Sequence, residues 1–314
     1  MSRLQADHAS RPGLGEVVAV WALFGVVAVA VLVAAARVPT AELYNVGEKG
    51  IVGGAGRALV FVGYPTALVA IAVLGLLVER LRRRWVTVVA AAAVLLCATV
   101  AWPGVIEQSD LDAKPANAFA GFGVLIAVAL TVLAVARGGI GVVRPFAGPW
   151  DVARLVLAVV LLLASIPWLL AEVGVEAEDV SVLGRIFMSG EVIPEPGHPD
   201  LIAVHLGHHH GMDGTLLALA ALVLSRPFPD VTGRLVRPAL GFYLCLMLVY
   251  GLANALQDFW LEQLVKRGTT SHRIPTLTEP DLSPAWAAMI AAALLIQFAA
   301  GRVGNLVSRQ EGVA

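Results

Sequence analysis

The sequence predicts an all-α, polytopic membrane helix bundle of about eight transmembrane helices, with both termini cytoplasmic. Three observations carry that prediction. Apolar residues make up 58% of the 314-residue chain and charged residues only 14%, against about 25% charged in a typical soluble domain, and the mean hydropathy is +0.81. The apolar residues gather into stretches of about 20, the length that crosses about 30 Å of hydrocarbon. Basic residues cluster between alternate stretches, the pattern that fixes orientation in a membrane. A cytosolic globular enzyme, a disordered chain and a collagen-like rod are all excluded by this composition.

The elements follow in order. Residues 1–16 form a cytoplasmic tail and 17–36 the first span. Ala34-Ala35-Ala36 resembles a signal-peptide cleavage site, but the apolar run before it exceeds the 7–15 residues of a signal h-region. Glu42, Tyr44, Asn45, Glu48 and Lys49 precede a glycine-rich segment, Gly50-Ile51-Val52-Gly53-Gly54-Ala55-Gly56-Arg57, which reads as a close-packed or re-entrant turn. It lacks the Gly-Lys-Ser/Thr ending of a phosphate-binding Walker loop. The second span, 58–78, ends in Glu79-Arg80-Leu81-Arg82-Arg83-Arg84, the densest basic cluster in the chain. Spans near 85–104, 117–136, 153–173, 200–225, 238–263 and 284–301 complete a single membrane domain over 17–301. Residues 302–314 form a second cytoplasmic tail.

Counted by side, the segments on the same face as Arg80–Arg84 hold fourteen of the 22 basic residues and six of the 23 acidic ones. A net charge of −1 therefore divides into a strongly positive inner side and a strongly negative outer side. The outer connections, 37–57, 105–116, 174–199 and 264–283, are the longer ones and carry most of the Pro, acid and His residues, as loops that do more than connect tend to. Nineteen of the basic residues are Arg, and with abundant Ala, Val and Gly this composition points to a GC-rich bacterial genome and a bacterial cytoplasmic membrane. Cys97 and Cys245 lie in apolar stretches and make neither a disulfide framework nor a Cys-rich metal site.

Chemistry concentrates at the start of span six. Six of the seven histidines are on the outer side, four of them in the histidine-rich motif His205-Leu206-Gly207-His208-His209-His210-Gly211-Met212-Asp213-Gly214. At about 100° per residue, His205, His208, His209, Met212 and Asp213 share one arc about 140° wide, and Gly207, Gly211 and Gly214 lie opposite, bare enough for a neighbouring helix. If the helix starts at Pro199, Asp213 lies about 21 Å inside the span. Ionisable groups at such depth face a bundle interior, a wet cavity or each other. Neutral imidazoles at i, i+4 can direct two nitrogens at one ion, with a carboxylate one turn further on. His205, His208, His209 and Asp213 are therefore candidate ligands of a transition metal ion (zinc, iron or copper).

Span seven carries a matching stripe, Tyr250, Asn254, Gln257, Asp258 and Glu262. The two stripes are expected to face each other and enclose one outward-opening site. Asp258 and Glu262 are candidate catalytic bases, and Glu172, Asn254, Gln257 and His198 are candidates to hydrogen-bond the ligands. His205-Leu206-Gly207-His208-His209 has the His-x-x-His-His spacing of a box in membrane fatty-acid desaturases. That resemblance covers five residues, and those di-iron sites draw on several boxes where this chain has one. No His-Glu-x-x-His zinc-protease motif or Gly-x-Ser-x-Gly elbow is present.

The leading expectation is a metal-binding, multi-pass membrane protein, possibly a metalloenzyme, acting on a lipid-linked or small substrate from the outer side. A transporter or proton-coupled permease using the same residues as a relay is one alternative. A haem-b or quinone-binding protein, or an accessory subunit of a larger complex, is another. The bilayer is the expected partner, as an oligomer or within a larger complex; nucleic acid is not.

Overall fold

The computed structural model describes residues 12–37, 50–102, 115–141, 145–146, 148–172, 209–265, 268–274, 277 and 282–311. Among the described residues the chain forms eight main helices: α1 (Gly15–Arg37), α2 (Gly50–Leu81), α3 (Arg84–Ala98), α4 (Pro115–Gly138), α5 (Pro149–Glu172), α6 (His209–Leu224), α7 (Val236–Phe259) and α8 (Pro284–Glu311). Seven are long and apolar enough to cross a membrane, and α6 adds a shorter apolar helix over Gly211–Leu224. The protein is an all-α, multi-pass membrane bundle. Each helix covers one of the apolar stretches, because in hydrocarbon every backbone N–H and C=O must be paired within the segment.

Two helices run further than their apolar stretches. The glycine-rich segment from Gly50 is helical and forms the first turns of α2 rather than a re-entrant turn. Its glycines, poor helix formers in water, continue without interruption into a strongly apolar helix. Helix α8 continues to Glu311. At the other extreme, α3 ends at Ala98 and closes with a 3₁₀ turn over Thr99–Ala101, just before Trp102-Pro103, where the residue preceding a proline is steered away from the helical region.

Helix α2 is the most enclosed span and α5 and α8 the least. Around α2 pack α1, α3, α4, α6 and α7, with α5 on α6 and α8 on α7. Its buried face includes Ala67, Val69, Ala70, Val73, Leu74, Leu76 and Leu77.

Polar contacts join alternate helix ends into one layer. Arg226, after α6, reaches Glu16 of α1 at 3.2 Å and Asp151 of α5 at 3.5 Å. Arg154 pairs with Asp151 at 3.1 Å and donates to Ser225 Oγ at 2.8 Å. Arg80, at the end of α2, donates to the carbonyl of Gly138 at 3.0 Å, at the end of α4. Glu79 accepts the backbone N–H groups of Thr232 and Gly233, both at 3.1 Å, ahead of α7. The ends richest in arginine thus meet at one end of the bundle, the alternation that the charge pattern requires.

Candidate functional site

Helices α6 and α7 touch backbone to backbone. A Cβ placed on Gly214 would lie 2.6 Å from the carbonyl oxygen of Gly251 and 2.7 Å from the amide of Ala255; one on Gly251 would lie 2.6 Å from the carbonyl of Gly214 and 2.7 Å from the amide of Ala218. Both helices carry the same small-residue spacing, Gly214-x-x-x-Ala218 and Gly251-x-x-x-Ala255, and small residues one turn apart let membrane helices approach this closely. The spacing is visible in the sequence, but a helical wheel does not say which neighbour the bare face meets. The structure assigns it to α7.

This contact corrects the expected arrangement of the two polar stripes. Asn254 lies against the glycine face of α6, its Cβ 3.0 Å from where a Gly214 Cβ would stand. At about 100° per residue, Asp213 is a quarter-turn away from that face. The stripe of α7 therefore meets the bare side of α6, not its ligand-bearing arc.

The antiparallel register at Gly214 and Gly251 also sets depths. Counting outward at about 1.5 Å per residue, Asn254 is level with Gly214, and Asp258 with the first turn of α6, which begins at His209. Measured from that start, Asp213 is about 6 Å along the helix.

The site residues that can be described are all enclosed. Asp213 is 4% exposed, Asn254 2%, Gln257 8% and Asp258 1%. Met212 and Thr215 are fully buried beside them. Asn254 donates through Nδ2 to the carbonyl of Tyr250 at 2.9 Å. Its Oδ1, the Thr215 hydroxyl and the Trp286 indole nitrogen are buried without a hydrogen-bond partner among the described residues, an arrangement that costs about 1–3 kcal/mol per group unless water or a ligand meets it.

His198, His205 and His208 lie outside the described residues, and for His209, Glu172 and Glu262 only the helical backbone is described. Among the described residues no cluster of three or more His, Cys, Asp or Glu side chains is placed to hold a metal. Immediately after Phe259 the chain winds as a π-helix over Trp260–Val265, so the 100° count that aligned Glu262 with Tyr250 does not extend to it. Trp260 donates to the carbonyl of His272 at 2.8 Å, holding this turn to the following loop.

Inward from Asn254 the polar groups continue for about one turn. Tyr64 of α2 and Tyr250 share a hydrogen bond between hydroxyls at 2.6 Å, and Tyr250 packs on Trp286 of α8 with ring centroids 5.2 Å apart. Pro65, inside α2, removes the backbone donor that would pair with the carbonyl of Phe61. Deeper still, Tyr243 donates to the carbonyl of Leu68 at 2.8 Å. Sequence reading rated Tyr64 as mildly polar; its partner sits 186 residues away, beyond any local signal.

Comparison with protein-family models, with curated proteins and with solved structures gives no match. Function must be read from the chain's own chemistry.

Proposed function

We propose that this multi-pass membrane protein carries a transition-metal site (zinc, iron or copper) where α6 meets α7, at the outward face of a cytoplasmic membrane. His205, His209 and Asp213 are the ligands, with His208 beside them. The observation that supports this reading most is the burial of two carboxylates, Asp213 and Asp258, at 4% and 1% exposure beside the Gly214–Gly251 contact. Withdrawing a carboxylate from water costs several kcal/mol unless a cation or hydrogen-bond donors replace its hydration. The sequence supplies ligand-type groups at that level: His209 is one turn before Asp213, and His205 one turn before His209.

As an enzyme, the protein would use the metal as a Lewis acid. Asp258, level with the first turn of α6, accepts the proton, with Glu262 as the second base. Asn254, whose carbonyl oxygen is a free acceptor in the interior, orients ligand or substrate together with Gln257, Glu172 and His198. A lipid-linked or small apolar substrate fits a site bounded by the bilayer. Metal analysis of the purified full-length chain tests this. One equivalent of metal in the native protein, lost in His209→Ala and Asp213→Asn with helical content retained, is the expected result. Native protein without metal after expression in metal-replete medium overturns it.

A second reading, a proton-coupled permease, is favoured by the Tyr64–Tyr250 hydroxyl pair, which extends the polar groups inward. It predicts pH-gradient-driven uptake in vesicles that Asp258→Asn abolishes.

A further inference from the structure

The arginine-rich end of the bundle holds a groove of about 680 Å³ bounded by the end of α2, the start of α3 and the end of α4. Arg80, Leu81, Arg82, Arg83, Trp85 and Arg137 line it, with Ala134 and Gly138 at its wall, and no acidic residue among them.

The arginines differ in what holds them. Arg80 is 7% exposed and its guanidinium is fixed against the last turn of α4, donating to the carbonyls of Gly138 at 3.0 Å and Gly139 at 3.4 Å. Gly138 and Gly141 leave no more than the space it needs: a Cβ on either would come within 3.2–3.3 Å of it. Arg82 is drawn aside to the carbonyl of Glu79 at 3.3 Å and the hydroxyl of Thr232 at 3.0 Å. Glu79, the acid nearest in sequence, is turned away onto the Thr232 and Gly233 amides. The exposed guanidiniums of Arg83 and Arg137 make no hydrogen bond or ion pair with the described residues. Between them α3 begins at Arg84 without a side-chain cap, so its first N–H groups add partial positive charge to the same groove.

A soluble anion would need only this charge. The groove offers more, because it opens onto an apolar track. Trp85, Val88, Ala92 and Leu95 follow one another at helical spacing on α3 and are all exposed. Tryptophan sits at headgroup level in membrane helices, and the residues beyond it run down the lipid-facing side of a membrane-spanning helix.

We propose that this groove is a binding site for the phosphate-bearing headgroup of an anionic membrane lipid. Arg83 and Arg137 contact the phosphate, Arg80 keeps the groove's floor positive, and an acyl chain lies along Trp85, Val88, Ala92 and Leu95. Anionic lipid held between helix ends by arginines follows the general electrostatics of membrane surfaces, and the site is independent of any metal at the opposite end.

Native mass spectrometry of the full-length protein, titrated with phosphatidylglycerol and with phosphatidylcholine, tests the assignment. The expected result is selective retention of phosphatidylglycerol, reduced about fivefold by Arg83→Gln and by Arg137→Gln, and unchanged by Arg234→Gln at the same end but outside the groove. Because Arg83 and Arg137 are exposed, an unchanged melting temperature separates lost binding from lost folding. Inorganic phosphate and glycerol phosphate are added as competitors. Failure of either to displace the lipid at concentrations where the lipid is half-bound supports the lipid assignment, and full displacement by inorganic phosphate alone overturns it in favour of a soluble anion. Equal retention of both lipids, or an equal loss in Arg234→Gln, also overturns it.

Discussion

Gly214 and Gly251 are the closest approach between α6 and α7, each occupying the space where the other's side chain would begin, 2.6 Å from the opposing carbonyl oxygen. Nothing flexible stands there to give way, since the opposing atoms are backbone. Gly214→Ala or Gly251→Ala is therefore expected to lower stability by at least the 1–3 kcal/mol of an overpacked core. Gly121, which has open space around it, supplies the control: Gly121→Ala should be neutral or slightly stabilising through its helix propensity. Denaturant unfolding in mixed micelles measures all three.

The Tyr64–Tyr250 hydroxyl pair should behave as a coupled unit. Removing one hydroxyl leaves the other buried without its partner, so Tyr64→Phe and Tyr250→Phe each cost more than half of what Tyr64→Phe/Tyr250→Phe costs. The coupling expected is about 0.6 kcal/mol, the average for polar contacts between membrane helices. A double-mutant cycle reads it directly. Additive losses would show that the 2.6 Å contact contributes no net energy.

At the arginine-rich end, Arg226 serves Glu16 and Asp151 together. Arg226→Gln leaves Glu16, whose side chain is 6% exposed, without its cation, and breaking a buried pair from one side costs about 3 kcal/mol. Asp151 keeps Arg154. Adding Glu16→Gln to Arg226→Gln is then expected to recover part of the loss, while Asp151→Asn in the same background should recover little. The ordering of the three melting temperatures decides the matter.

If the α6–α7 junction binds metal, the bound state must be the more stable one. Free metal at about one hundred times its dissociation constant adds about 2.7 kcal/mol. Titrating zinc into chelator-treated protein should raise the melting temperature of the native chain and leave Asp213→Asn unmoved. Identical shifts in both would place any zinc elsewhere.

The bundle itself was legible because a membrane span declares itself twice, through about 20 apolar residues and through the arginines at its ends. The relation between spans was less so. The glycines of α6 were readable as a bare face, yet periodicity places residues around one axis and is silent about which axis lies alongside. The matching spacing on α7, Gly251 to Ala255, was the available signal. The glycine-rich start of α2 misled because Gly lowers helix propensity in water, whereas hydrocarbon leaves a spanning backbone few choices but helix. Asp213, Asn254, Gln257 and Asp258 were identifiable as buried polar residues in apolar helices. Their rotation relative to one another depends on the Gly214–Gly251 contact, which no single helix encodes.

The π-turn over Trp260–Val265 gives α7 a spare residue. A turn closed by i→i+5 hydrogen bonds holds one residue more than an α-turn of the same span, and this one begins two positions after Asp258. Deleting a single residue from it lets ordinary α-helix run straight through, with Asp258, Asn254 and the contact at Gly251 left in place. Everything downstream then changes phase by about 100°, the segment leading to Trp260's partner His272 included. The aim of the outer loop and the seat of Asp258 are thereby set by separate stretches of one helix, so the mouth of the site can be re-cut without disturbing its floor.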